Sequence, residues 1–114
     1  MRREAYRAVD VKRVSVESMV ADRPKEAACV GFDVAKREIL TVVRWPDGDF
    51  ERPWRAANPE EIPELIGRLE ALAAGRSLVV ALESTGTYGD ALRQALTDAR
   101  LNVQRVSGKA VHEC

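Results

Sequence analysis

Ser77-Leu78-Val79-Val80-Ala81-Leu82, followed at once by Glu83, is the stretch that decides the fold. A short uncharged run, apolar after its first residue, suits a strand buried on both faces, as in a sheet covered by helices. The flanking sequence supplies the helices. Upstream, Ile62, Leu65, Ile66, Leu69 and Leu72 recur at helical spacing. Asn58 is placed to cap that helix, with Pro59 at the first helical position and Glu61 three residues after the cap. Gly75 is the stop signal. Pro63 lacks an amide hydrogen, which makes it an alternative start for the regular helix. Downstream, Ser84-Thr85-Gly86 forms a turn, Thr87 caps a second helix, and Tyr88, Ala91, Leu92, Ala95, Leu96 and Ala99 are its expected inner face. Asn102 to Val106 reads as a last strand, ended by Ser107-Gly108.

Further upstream the apolar period changes from helical to alternating. Ala28 to Val34 reads as a strand with Val30, Phe32 and Val34 on one face, and Glu38 to Trp45 as its antiparallel partner. Pro46-Asp47-Gly48-Asp49 is a turn, and Phe50 to Ala56 a third, more polar strand. Pro53 inside it predicts an edge position. The order β-β-β-α-β-α-β predicts an α/β domain with a mixed five-stranded sheet. No internal repeat is visible. Residues 1–26 carry seven basic and five acidic side chains without a clear apolar period, so they are expected to form a leader or arm, with the domain proper at 27–114.

Composition narrows the function classes. Hydrophobic residues make up 46% of the 114 and charged residues 32%, which fits a folded chain. Lys plus Arg and Asp plus Glu are 18 each, so neither a strongly basic nucleic-acid binder nor a polybasic membrane module is expected. The apolar runs are too short to span a membrane, and no apolar core follows the Arg-rich N-terminus, so the expected compartment is the cytoplasm. Cys29, Cys114 and the single His112 give no zinc pattern. In the reducing cytoplasm Cys29 is expected to be a small buried hydrophobe and not half of a disulfide.

Two acids stand where chemistry is plausible. Asp33 lies near the end of the first strand and Glu83 at the end of the fourth. If those strands are neighbours, the two carboxylates emerge side by side and repel unless a cation sits between them. Mg²⁺ suits such a pair because it takes carboxylate and water oxygens. Two such ions about 3.5–4 Å apart can promote phosphoryl transfer. The alternatives are a turn or cap role for Asp33 and a surface ion pair between Glu83 and Lys36 or Arg37. The loop Glu83-Ser84-Thr85-Gly86-Thr87-Tyr88-Gly89 can offer amide hydrogens to a phosphate, or simply cap a helix. Lys36 and Arg37, with Arg105 and Lys109 near the last strand, can flank a phosphate backbone.

Three motifs then occur in order: V-G-F-D-V-A-K-R-E (Val30 to Glu38), A-L-E-S-T-G-T-Y-G (Ala81 to Gly89) and R-V-S-G-K-A-V-H (Arg105 to His112). Together they resemble the N-terminal domain of DEDD-type insertion-sequence transposases, relatives of the Piv-type DNA invertases. The resemblance covers residues 28–114. It implies a RuvC-like, ribonuclease-H-like fold with strand order 3-2-1-4-5. It also implies that Asp33 and Glu83 are the first two of four catalytic, metal-binding acids, using Mg²⁺ or Mn²⁺. DNA is the implied substrate and a structured guide RNA an implied partner. Lys36, Arg37, Thr85 and Lys109 are the expected nucleic-acid contacts.

Departures from the family pattern shape the expectation. Phe32 stands where the family often has an aliphatic residue. The last two acids lie beyond the third motif, as does a domain carrying a nucleophilic Ser, and the chain ends before them. A truncated transposase is therefore expected, its domain incomplete at the C-terminus, with weak or absent metal binding and no strand cleavage or joining by itself. The rival expectations are a regulatory module that binds a full-length transposase, a second copy or nucleic acid, a nucleotide-binding α/β domain, and a remnant without present function.

Overall fold

The computed structural model describes residues 7–23, 25–83, 88–101 and 103–106. Six strands form one mixed sheet: β1 (Val9–Asp10), β2 (Ala28–Val34), β3 (Glu38–Arg44), β4 (Trp54–Ala57), β5 (Leu78–Glu83) and β6 (Val103–Val106). Their order across the sheet is β1-β4-β3-β2-β5-β6. β2 and β3 make an antiparallel hairpin running from Cys29↔Arg44 to Val34↔Ile39, closed where the Ala35 amide donates to the Glu38 carbonyl at 2.8 Å. β4 is antiparallel to β3, while β5 is parallel to β2 and β6 parallel to β5.

Alternation along the strands sorts side chains into two faces. Val30, Phe32, Ile39, Thr41, Val43, Trp54, Ala56, Val80 and Leu82 are buried on one face. Two helices cover it: α2 (Ile62–Ala73) brings Leu65, Leu69 and Leu72, and α3 (Asp90–Asp98) brings Leu92 and Leu96, all fully buried. The other face carries Cys29, Leu40, Val42 and Val79, each half-buried. α2 begins at Ile62 with Pro63 in its first turn, and no side chain caps it. Asn58 is thus not its cap but a buried residue of the preceding loop. Gly75 ends the helical segment as expected, at a φ of 78° that favours glycine. Tyr88 and Ala91, expected on the inner face of the second helix, are exposed: Tyr88 precedes α3, which starts two residues later, and Ala91 lies on the helix's solvent side.

Part of the expected arm belongs to the fold. β1 pairs parallel to β4, with Val9 opposite Trp54, and so covers the edge that Pro53 was expected to leave free. A 3₁₀ turn at Val11–Arg13 buries Val11 completely, and α1 (Val16–Met19) buries Val16. Long cations stitch this segment down. Arg68 on α2 donates to the Val14 and Lys12 carbonyls, and Arg76 donates to those of Arg23 and Glu26. Arg23 in turn pairs with Glu26, Asp47 and Asp49 and lies over the Trp45 ring. Charge-assisted bonds to main-chain carbonyls replace the apolar periodicity that the segment lacks.

Cys29 is disulfide-bonded, not the isolated buried thiol expected from sequence. The only other cysteine, Cys114, lies outside the described residues. Among the described residues no helix is long and apolar enough to cross a membrane.

Candidate functional site

The β2–β5 ladder fixes where the two acids stand. Ala28 pairs with Leu78, Cys29 with Val79, Val30 with Val80 and Gly31 with Ala81. The offset is constant, so the same register carried two residues further sets Asp33 level with Glu83. Asp33 is then on the face that holds Gly31, two residues before it. Neighbouring strands run about 4.8 Å apart, which sets the scale of the separation between the two backbones. Asp33 is exposed, and its carboxylate makes no hydrogen bond or ion pair with any described residue. It does not cap the β2–β3 turn, which the Ala35–Glu38 bond closes without it.

Lys36 and Arg37 occupy the tip of that turn, both exposed, and neither pairs with a described side chain. Thr85 and Lys109, the other expected nucleic-acid contacts, lie outside the described residues, as does the whole loop between Glu83 and Tyr88.

Asn58 is the residue that sequence reasoning missed. It is 8% exposed, and its side-chain nitrogen donates to the carbonyls of Ala35 and Tyr88, each at 2.9 Å. Its main-chain amide donates to the Arg37 carbonyl at 2.9 Å. A single buried residue therefore joins the turn after β2 to the chain entering α3, beside the end of the sheet where Asp33 stands. The signal for this was Pro63. A helix starting at Ile62 leaves Asn58 too far ahead to cap it, and a buried amide must find partners elsewhere.

A free, exposed carboxylate with a second acid at the same register suits a hard cation that keeps most of its waters. Two carboxylates do not fix a pair of ions. Among the described residues no group of three or more His, Cys, Asp or Glu side chains is placed to hold a metal ion. Compared with known proteins, the chain matches no family model and no curated protein.

Proposed function

We propose that these residues form the first half of a ribonuclease-H-like, RuvC-like nuclease domain of the DEDD transposase type, with Asp33 and Glu83 as two of its metal-binding acids. The observation that carries this reading is the register of β2 with β5. That ladder runs from Ala28 opposite Leu78 to Gly31 opposite Ala81, and carried two residues further it would set Asp33 level with Glu83, fifty residues on in sequence. The three sequence motifs support it independently.

In this reading Asp33 and Glu83 hold one divalent cation loosely, with water completing its coordination. When bound, such an ion neutralises phosphate charge and lowers the pKa of a coordinated water. The two acids alone do not build a centre for strand cleavage, so the 114 residues by themselves are expected to be inactive as a nuclease or recombinase on DNA.

The test is a Mn²⁺ titration of ¹⁵N-labelled protein. Paramagnetic broadening is expected first at the amides of Gly31, Val34 and Ala81, and it should vanish in Asp33→Asn. Broadening centred elsewhere, or unchanged in that variant, overturns the metal assignment. A parallel assay on duplex, branched and supercoiled DNA with Mg²⁺ or Mn²⁺ should give no cleavage. Cleavage that disappears in Asp33→Ala overturns the half-site.

A further inference from the structure

Three features beside Asp33 are not used by the metal reading. Tyr88 is 52% exposed, a large ring offered to solvent at the entrance to α3. Lys36 and Arg37 are exposed and their side chains make no bond to a described residue. Asn58 holds these features together, because the Ala35 and Tyr88 carbonyls both lie 2.9 Å from the same side-chain nitrogen. The main chain of the cationic turn and that of Tyr88 are therefore tied to one buried residue, which brings the two segments side by side.

We infer that this surface binds an unpaired nucleotide, the base stacked on the Tyr88 ring and the flanking phosphates at Lys36 and Arg37. An exposed ring beside free cations is the arrangement that binds single strands, because every base has a face to stack and every linkage a phosphate to pair. A base inside a duplex already has both faces covered by its neighbours, so the ring gains little from it. The nearby acids limit the affinity. Asp33 and Glu38 repel phosphate, whereas Asp90 is already paired with Arg93 at 2.7 Å. With a net charge of zero the whole chain adds no general attraction, so binding is local and strongest at low salt. The inference rests on the proposed function for why a strand should lie across Asp33, but its contacts are separate from the acids.

The test is fluorescence anisotropy of labelled oligothymidylate, oligouridylate and a duplex of the same length, at low salt and without divalent ions. The single strands should bind and the duplex should bind more weakly. Tyr88→Ala should lose about tenfold in affinity, the scale of one base stacked on an aromatic ring. Tyr88→Phe should keep the wild-type value, which separates stacking from any effect on folding. Lys36→Ala combined with Arg37→Ala should reduce the slope of log affinity against log salt by about 1.4, the value for two phosphates on a single strand. Binding of either oligonucleotide supports the site, and their ratio shows which sugar the surface prefers. No single-strand binding, equal binding of the duplex, or indifference to Tyr88→Ala overturns it. Tyr88-dependent binding without Mn²⁺ at Asp33 overturns the proposed function and leaves this site standing. Mn²⁺ at Asp33 with an indifferent Tyr88 does the reverse.

Discussion

Asn58 concentrates three long-range contacts in one side chain and its amide. Its partners Ala35 and Tyr88 are 23 and 30 residues away in sequence. Replacing it with Ala removes both side-chain donors and leaves two carbonyls facing the space they occupied. The expected cost is about 2–3 kcal/mol, read as a fall in the urea midpoint at unchanged slope. Asn58→Asp should cost more at neutral pH, because a buried carboxylate would face two carbonyl oxygens. This residue was illegible in sequence for a definite reason. Asn-Pro followed by Glu61 looks like a helix start, and a local pattern carries no information about partners so far along the chain. The place of Asp33 near the end of β2 was legible, because an acid at the end of an apolar strand stands out without knowledge of its neighbours. The exposure of Tyr88 was not, since its spacing from Leu92 and Ala95 fits a helix face that begins two residues earlier than α3 does.

At the level of elements, the strands and helices that carry strong periodicity appear where the sequence puts them. β2 spans Ala28–Val34 as expected, and the continuous apolar run is β5, between β2 and β6. The N-terminal segment escaped notice because its strand has two residues and its attachment is made by arginines on distant elements. Val11, fully buried, offers a test. Val11→Ala should destabilise the protein by about 2 kcal/mol through lost apolar contact and a residual cavity, measured by chemical denaturation. A solvated arm would tolerate the same change without effect.

For the molecule as a whole, the ion pairs that fasten the N-terminal segment lie at two places. Glu61, just before α2, accepts from the Ala57 amide at 2.9 Å and pairs with Lys12 at 3.1 Å. The Ala57 amide and then the Lys12 ammonium hold its pKa below the usual carboxylate value. Asp47, in the β3–β4 turn, is likewise lowered, first by the Asp49 amide and also by Arg23. A carboxylate with a depressed folded pKa contributes stability that is complete above the unfolded value of about 4 and is lost as pH falls through the folded value. Stability should therefore decline below about pH 4.5. The double variant Glu61→Gln, Asp47→Asn should show a shallower decline in thermal melts between pH 6 and 3, roughly the range in which carboxylates titrate. Both carboxylates are on the surface, so the difference should be small at high salt.

The parallel pairing of β1 with β4 also sets an order of events during synthesis. Arg52 donates to the Arg7 carbonyl across 45 residues of chain, and β1 meets β4 at the same edge. Val9 and Val11 leave the ribosome well before the strand that shelters them exists. At about 5–20 residues per second, that interval is roughly 2–9 s. For those seconds Val9 and Val11 stay in water, and their docking marks the moment at which that edge of the sheet closes.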